Sequence, residues 1–420
     1  MTAVDSSRRE QVLETAADLF ASGGIRASMR EIADACGILP GSLYHHFESK
    51  EAIVVELVTR YQRELDDIAD AALAPCVTEV TGELAADGGG LDPIAALGTA
   101  IAACAVRNRA ALLLTYYEPP TGSGPALAEL AARTPERITA AMYELLRRAA
   151  ADGSLQGEVD LRILADRLCQ SMLHVGIGVY HRQRASLGLP AMKCRILLEG
   201  LAVRCPTDRT LDASAARRAA DQVIQGWGSE DEAAERVALI RSVARAEFGR
   251  RGYEATTIRD VAAAAGVRPG NLYRVVASKE ELLTLVLREY AEAVNHGWAA
   301  VMSSDGSAIE QLDALMWLGI KALERFRQEH RIHWGSMQQS PPAGPDLGVS
   351  VDTQLRQLQR LLVRADQAGE IVVPGSSPDL RARMVFSLIW TPENLVRDLG
   401  VDRALAFDRA TLLRGAAHRT

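Results

Sequence analysis

Residues 37–51 read Gly-Ile-Leu-Pro-Gly-Ser-Leu-Tyr-His-His-Phe-Glu-Ser-Lys-Glu, and residues 266–280 read Gly-Val-Arg-Pro-Gly-Asn-Leu-Tyr-Arg-Val-Val-Ala-Ser-Lys-Glu. The second stretch follows the first by 229 residues and has Pro-Gly, Leu-Tyr and Ser-Lys-Glu at the same positions. The chain therefore carries the same local pattern twice.

The first stretch predicts two short helices joined by a tight turn. Ser28 is a suitable N-cap for a helix that precedes the stretch, and Gly37 ends that helix where a positive φ is needed. Pro40 fits the first turn of the next helix, because its missing N–H would have no partner there. Ser49 is then the expected cap of a long helix that starts at Lys50.

The second short helix has one apolar and one polar face. Leu43 and Phe47 are four residues apart, so both point to the core, while Ser42, Tyr44 and His45 point outward. Two short helices with polar side chains exposed on the second are typical of a helix-turn-helix.

Lysine usage singles out the start of the long helices. Two of the lysines, Lys50 and Lys279, occupy the same place in both copies, beside a helix N-terminus that can bind phosphate. The alternative is a pair of solvated surface lysines. The lysines of the chain are Lys50, Lys193, Lys279 and Lys321.

Composition predicts an all-α protein of more than one domain. The chain has 420 residues, few aromatic residues and few β-branched runs. Its formal net charge of -7 does not indicate a chain-wide nucleic-acid surface, but local basic patches are compatible with an acidic total.

The six cysteines are scattered without a Cys-x-x-Cys pair. We find no signal peptide at the N-terminus and no uncharged apolar run long enough to span a bilayer, so a cytoplasmic location without membrane association is expected. Buried free thiols are the simpler interpretation of the cysteines, and a redox sensor is the alternative.

Two tandem units follow from the order of predicted helices. The first unit is expected to contain helices over 8–23, 49–74, up to 151, 161–180 and 211–225, with a strongly apolar segment over 93–117, a Pro-Pro break at 118–125 and a connection over 181–210. The second unit repeats this order, with helices from 237–249 to 380–399 and 401–415 and a Pro-Pro break at 340–345. The expected domains are 1–48 and 229–277 for the two helix-turn-helix heads, and 49–228 and 278–420 for the two larger helical domains.

Each unit resembles a complete subunit of the TetR family of transcriptional regulators. The Leu-Tyr-x-x-Phe-x-Ser-Lys-Glu run at 43–51 carries the resemblance most specifically. The resemblance implies a three-helix DNA-binding head on a helical effector-binding and dimerisation domain, whose last two long helices form a four-helix interface. It also implies double-stranded operator DNA as partner, no cofactor and no metal, and an internal pseudo-dimer, with a homodimer of chains as the alternative.

The resemblance assigns DNA-binding roles to matching positions in both heads. In the first head these are Ser28, Arg30, Gly41, Ser42, Tyr44, His45 and Lys50. In the second head they are Thr257, Arg259, Arg268, Gly270, Asn271, Tyr273, Arg274 and Lys279.

The second head departs from the first below its recognition helix. Val275 and Val276 replace His46 and Phe47, which shrinks the apolar anchor and predicts a looser seat. The second head is nevertheless more basic. We expect both heads to bind DNA and to read unlike half-sites, because Asn271 and Arg274 can form bidentate contacts with bases.

The mechanism implied is effector-coupled repression, with activation as the alternative mode. A small hydrophobic effector would bind among apolar helices and shift the long helices, so that the heads change their spacing of about 34 Å. The alternative is that the aromatic and histidine side chains involved are ordinary core. The candidate effector residues are Tyr116, Tyr117 and His174 in the first unit and His333, Trp334 and Trp390 in the second.

Other functions are less compatible with the sequence. We find no nucleophile elbow, P-loop or dinucleotide fingerprint, which argues against an enzyme. His330 and His333 are three residues apart but lack a further metal ligand nearby in sequence. The main alternative is a sensor or scaffold with the same fold in which one or both heads no longer bind DNA.

Overall fold

The computed structural model describes residues 3–23, 27–74, 91–116, 125–156, 159–177, 188–227, 235–253, 255–339, 348–375 and 377–417. Within these ranges the chain is helical, and its extended residues form two isolated bridges, which confirms the all-α prediction. The first unit contains α1 (Ala3–Gly23), α2 (Met29–Ala35), α3 (Pro40–His46), α4 (Lys50–Leu73), α5 (Asp92–Arg107), α6 (Arg109–Tyr116), α7 (Pro125–Ala132), α8 (Glu136–Ala151), α9 (Leu161–Ile177), α10 (Leu189–Glu199), α11 (Asp208–Asp212) and α12 (Ala215–Gln225). The second unit contains α13 (Glu235–Arg251), α14 (Ile258–Ala264), α15 (Pro269–Leu272), α16 (Lys279–Met302), α17 (Ala308–Arg325), α18 (Arg327–Gln339), α19 (Val351–Gln367), α20 (Pro378–Ile389), α21 (Glu393–Leu399) and α22 (Val401–Asp408), and α22 continues as a π-helical turn over Arg409–Leu413.

Equivalent caps start equivalent helices in the two units. Ser28 and Thr257 each form a capping box with the acidic residue three positions later, at the start of α2 and α14. Ser49 and Ser278 cap the long helices α4 and α16 with their hydroxyl groups. The repeated cap residues in the sequence therefore correspond to repeated local structure.

Helix α10 lies within residues 181–210, for which the sequence predicted a connection and not a helix. Pro190 lies in the first turn of α10, where proline fits the helix and does not break it. The helix buries Leu189, Ile196 and Leu197. It packs on α9 and on the π-helical turn of the second unit, and so adds to the contact between the units that α12 also makes.

Several predicted helices are interrupted, and the one that ends at 151 is divided into α7 and α8. The helix expected over 211–225 is divided into α11 and α12, because Ser214 caps a new helix at that point. The helix expected over 380–399 stops at Ile389 and restarts as α21 after Pro392, whose ring is incompatible with an uninterrupted helix.

The two units meet through a reciprocal backbone contact. Leu155, after α8, forms a bridge with Ala417, and Ile371, after α19, forms the matching bridge with Ala202. Each unit thus gives and receives the same contact, as in a two-fold symmetric dimer. The repeated hydrogen bonds are Ala202 N–H to the Leu413 carbonyl (2.9 Å) and Ala417 N–H to the Leu198 carbonyl (2.6 Å).

Two glycines allow this close approach. Gly200 and Gly415 have φ values of +73° and +87°. A Cβ at Gly200 would lie 2.4 Å from the Gly415 nitrogen, and a Cβ at Gly415 would lie 2.3 Å from the Glu199 carbonyl carbon. Neither position accepts a side chain while the other unit is in place.

Helix α12 ends the first unit in the sequence but packs on α16 and α17 of the second. The Arg217 guanidinium lies 3.6 Å from the centre of the Trp317 ring. Asp221 accepts a hydrogen bond from Trp317 Nε1 at 2.7 Å. The end of the first unit therefore supports the long helix that leads to the second head.

The corresponding long helices have different partners in the two units. In the first unit α4 packs along both α5 and α8. In the second unit α16 packs on α17 but lacks an extended contact with α19, the counterpart of α8. Asn295 joins α16 to the start of α19, because its Oδ1 accepts from Ser350 N at 3.0 Å and from Gln354 Nε2 at 3.3 Å. A cleft lies beside this junction.

No single helix in the described ranges is long and apolar enough to cross a membrane. Helices α5 and α6 pass a test of length and composition only as a pair, and they meet at a bend of 88°. Both predicted Pro-Pro breaks fall, apart from Pro125, outside the described residues.

Candidate nucleic-acid interface and ligand cleft

The first head presents α3 on a small apolar core. Leu43 and Phe47 are buried, and the Arg9 guanidinium lies 4.5 Å from the Phe47 ring centre. Gly37 turns the chain between α2 and α3 with a φ of +66°. The side chains on the other face of α3 are consequently directed to solvent. The exposed residues of this face are Gly41, Ser42, Tyr44 and His45, and Tyr44 is 53% exposed.

The start of α2 and the start of α4 flank this exposed face. Ser28 and Arg30 are exposed on α2, and Arg30 is within 4.0 Å of Asp34. Hydrogen bonds from Ser28 lower the pKa of Glu31. Lys50 is half-buried at the first position of α4, where burial lowers the pKa of its ammonium group and the nearby Glu31 raises it. Lys50 and the α4 N-terminus together provide positive potential beside α3.

The second head has a shorter recognition helix. α15 covers Pro269–Leu272, and the chain then continues in turns through Val275. Arg274 therefore lies on a turn rather than on a helix. The exposed residues of this head are Thr257, Arg259, Arg268, Gly270, Tyr273 and Arg274, and Asn271 and Lys279 are half-exposed.

Tyr253, which was not among the residues singled out in the sequence, packs between α13 and the start of α16 in the second head. Tyr253 packs edge-on against Phe248 with ring centroids 5.4 Å apart. The Lys279 ammonium lies 4.1 Å from the centre of the Tyr253 ring. Val276 is buried, with 3% of its surface exposed. The second head thus lacks the ring of Phe47 but has the aromatic ring of Tyr253 in the segment after α13. An aromatic residue at that place in the sequence is the signal that could have identified it.

The basic residues of the second head divide into paired and exposed sets. Arg250 and Arg251 both contact Glu247 at 3.1 Å, so part of their charge is compensated within the head. Arg259, Arg268 and Arg274 are exposed to solvent. These three side chains, rather than all the basic residues counted in the sequence, supply the outward positive charge.

The second unit contains an aromatic cleft whose enclosed space is about 10 Å³, room for about one water molecule, so a larger ligand enters only if the lining side chains move apart. Trp334 and Trp390 lie with ring centroids 6.4 Å apart, and Phe386 is 6.2 Å from Trp390. The structure thus brings together His333, Trp334 and Trp390, the three effector candidates of this unit. The lining residues are Tyr290, His333, Trp334, Val349, Val351, Gln354, Phe386 and Trp390.

Three buried polar atoms at this cleft have no hydrogen-bond partner among the described residues. They are His333 Nδ1, Gln354 Oε1 and Trp390 Nε1. His333 and Gln354 are 3% and 2% exposed. Burial lowers the pKa of His333 to about 4, so its ring is neutral at pH 7. The cleft therefore offers one N–H donor, one carbonyl acceptor and one neutral imidazole within an aromatic wall.

His330 is held differently from His333. Its Nδ1 lies 3.0 Å from the Tyr290 hydroxyl, and burial lowers its pKa to about 3. The two histidines belong to an aromatic cluster, with Tyr290 between them.

The effector candidates of the first unit are not brought together in the described residues. Tyr116 is the last residue of α6, and Tyr117 lies outside the described residues. His174 is on α9 and is exposed.

Sequence comparison identifies two family domains in this chain. The family profile described as "Bacterial regulatory proteins, tetR family" matches residues 12–57 and 240–286. These ranges cover both helix-turn-helix heads described above.

Curated relatives match a part of the chain. The HTH-type transcriptional repressor KstR2 of Rhodococcus jostii (strain RHA1) is 53% identical over 68 residues, which are 16% of this chain and 32% of the relative. The HTH-type transcriptional regulator UidR of Escherichia coli (strain K12) is 42% identical over 55 residues, or 13% of this chain and 28% of the relative. The matches thus span about a third of the length of these relatives.

Among solved structures, the ketosteroid transcriptional regulator KstR2 of Mycobacterium tuberculosis aligns with 46% of this chain and 89% of its own, at 24% identity and a TM-score of 0.32. On the two profile matches, residues 12–57 and 240–286 are domains of the tetR family of bacterial regulatory proteins, and the chain carries two such heads in tandem.

Proposed function

We propose that this chain is an effector-responsive transcriptional repressor that places two unlike heads on one operator. The observation that carries the proposal is the reciprocal contact between the units, together with an exposed recognition face on each head. A chain that supplies both halves of a two-fold arrangement needs no second copy to present two heads. Its proposed domains are 1–48, 49–228, 229–277 and 278–420.

The two recognition faces differ in the chemistry that they offer to base pairs. The first head presents Ser42 and His45, whereas the second presents Asn271 and Arg274. Arginine and asparagine form bidentate contacts with guanine and adenine, respectively, in the major groove. Lys50 and Lys279, at the N-termini of α4 and α16, would contact phosphates. We therefore propose an operator with unlike half-sites.

The effector site that the geometry supports best is the cleft of the second unit. Its aromatic wall suits a small, flat, apolar molecule, and Trp390 Nε1 and Gln354 Oε1 suit one acceptor and one donor group on it. Such a ligand would separate α19 from α16 further. Because α16 begins at Lys279, its displacement would move the second head relative to the first.

The experiment that tests the DNA-binding proposal is selection of operator sequences by the full chain, followed by fluorescence anisotropy. We expect an asymmetric operator whose two half-sites have centres about one helical turn of DNA apart. The affinity of the chain for this operator should fall steeply as the salt concentration rises. The double variant Lys50→Ala with Lys279→Ala should bind more weakly and show a smaller salt slope. A symmetric selected site would contradict the unlike half-sites, and an absence of salt-dependent binding would favour the sensor or scaffold.

The effector proposal has a separate test. A panel of monocyclic and bicyclic phenols and indoles, titrated against the tryptophan fluorescence of the full chain, should include binders whose affinity is lost in Gln354→Leu. The matched control is Gln328→Leu, an exposed glutamine on α18. Equal binding by both variants would locate the effector elsewhere.

A further inference from the structure

The charges buried between the two units are asymmetric, although the backbone contact around them is reciprocal. Arg167 on α9 of the first unit is 3% exposed, and Asp408 on α22 of the second is fully buried. Arg167 Nη2 lies 3.8 Å from Asp408 Oδ1 and donates to the Leu388 carbonyl at 2.6 Å. One buried cation of the first unit is thus matched by one buried anion of the second.

The neighbours of this pair leave it dependent on the partner unit. The Thr391 hydroxyl donates to Asp408 Oδ2, whereas Asp408 Oδ1 has no hydrogen-bond partner among the described residues. Asp166 also lies near Arg167, but its carboxylate accepts a hydrogen bond from Asn394 of the second unit at 2.6 Å. Asp166 and Arg167 of α9 therefore both have partners across the interface.

The helix equivalent to α22 in the first unit is α10, because Gly200 and Gly415 follow the two helices at the reciprocal contact. Helix α10 carries Lys193, which is 2% exposed, and its carboxylate, Glu199, is bound to Arg195 at the far end. If two copies of the first unit were paired in this geometry, Arg167 would face a helix with a buried lysine and no buried carboxylate.

The helix equivalent to α9 in the second unit is α20. Its middle consists of Met384, Val385 and Phe386, all buried and apolar, and the half-buried Arg383 before them is bound to Asp379 of the same helix at 2.9 Å. If two copies of the second unit were paired, each Asp408 would face this apolar surface. An isolated buried carboxylate or guanidinium loses its hydration without compensation.

We propose that this interface is specific for the unlike unit: it accepts a first unit with a second unit and rejects two copies of either. The charge pattern leaves an unpaired buried charge in both like pairs, and breaking a buried ion pair in this way costs about 100-fold or more in an association constant. The partner recognised by either unit is therefore the other half of a tandem chain, and two heads brought to DNA in this way are always one of each kind.

The test starts from the full folded chain. A protease site is inserted between Trp227 and Glu235, the purified protein is cut after folding, and isotopically heavy and light preparations are mixed. Native mass spectrometry then counts the species. We expect mixed heavy and light complexes that each contain one first unit and one second unit. If the cut chain without substitutions gives pairs of two first units or two second units as abundantly as unlike pairs, the proposal is overturned.

Variants separate the ion pair from other causes of selectivity. In Arg167→Leu with Asp408→Leu, like pairs should rise by at least about tenfold, since hydrophobic replacements of a buried pair are usually tolerated. Arg167→Gln with Asp408→Asn is a second route if the leucine variant fails to fold. The control is Glu144→Leu with Arg147→Leu, an exposed ion pair on α8, which should leave selectivity unchanged.

Helix α12 is the competing cause, because it remains on the first fragment and packs on Trp317 of the second. If Trp317→Ala releases like pairs while both Arg167 and Asp408 double variants remain selective, α12 sets the specificity and the proposal is wrong. If Trp317→Ala remains selective, the ion pair is supported.

Discussion

The contact between the units and the two heads differ in how closely the halves of the chain resemble each other. At the contact, Gly200 and Gly415 occupy equivalent positions, and the bridges of Ala202 and Ala417 repeat. In the heads, α3 has two helical turns, whereas α15 has one. The comparison shows that backbone-to-backbone contacts remained alike, because a side chain cannot be added there without a clash. Surfaces that face solvent or ligand have no such constraint.

The interiors of the units show the same division. Tyr61 on α4 and Tyr290 on α16 are equivalent and both buried. Tyr290 belongs to an aromatic and histidine cluster beside the cleft, whereas α4 packs directly along α8. The buried tyrosine is therefore common to both units, but in the second unit histidines and aromatic side chains surround it.

The largest expected effect is at the reciprocal glycines. Gly200→Ala would put a Cβ 2.4 Å from the backbone of Gly415, so we expect a loss of about 4 kcal/mol or more in the free energy of unfolding. Gly37→Ala is the matched control, because its φ is also positive but no atom lies within 4 Å of the added Cβ. It should cost about 1–2 kcal/mol. Equal effects in urea unfolding would mean that the contact between the units is not tight.

The second largest effect is expected at the buried side chains that hold the two recognition helices, which should differ in how much stability they contribute. Phe47→Ala removes a buried ring and should destabilise the first head by about 3–5 kcal/mol. Val276→Ala removes less volume, and Tyr253 supports the site, so about 1–2 kcal/mol is expected in the second head. Hydrogen exchange resolved by head measures both. A larger loss for Val276→Ala would show that Tyr253 does not compensate.

Acid should destabilise the second unit through its buried histidines, His330 and His333. The pKa of His333 is lowered to about 4 from an ordinary value of 6.5, so the unfolded state binds the proton first. The contribution is fully present above pH 6.5 and falls by about 3 kcal/mol as the pH decreases to 4. Unfolding monitored by hydrogen exchange from pH 7.5 to 4 should show a slope of at least this size, and His333→Gln should reduce it while the part due to the buried His330 remains. His296→Gln, at an exposed histidine on α16, should retain the slope.

The smallest expected effect concerns base recognition. Arg274→Ala should weaken binding to the selected operator by about 10–100-fold and relax the preference in one half-site. His45→Ala should affect the other half-site and by less, because histidine lacks the bidentate geometry of arginine. Anisotropy titrations with each half-site altered in turn measure this. A loss of preference in the same half-site for both variants would contradict the assignment of one head to each half.

Several features could be predicted from local sequence. Caps such as Ser28 and Thr257, the positive φ of Gly37 and the burial of Leu43 depend on neighbours within a few residues. The same is true of the exposure of Tyr44 and its counterpart in the second head. Local hydrogen bonds and helical spacing decide these features, so each copy of the motif predicts them without reference to the other copy.

Other features required the assembled structure. Helix α10 was missed because proline and glycine read as a break, while its stability comes from apolar side chains packed against a distant part of the chain. Tyr253, Gln354 and Tyr290 acquired their roles only when loops and helices far apart in sequence met.

The amino-acid sequence by itself determined the helical class, the tandem repeat and the two heads, because these follow from periodicity and short-range capping. Tertiary structure alone decided that Arg167 faces Asp408, that α12 packs on the second unit and that His333, Trp334 and Trp390 surround one cleft. The physical reason is that contacts between distant residues depend on how whole helices pack, and burial then gives each charge or ring its energy.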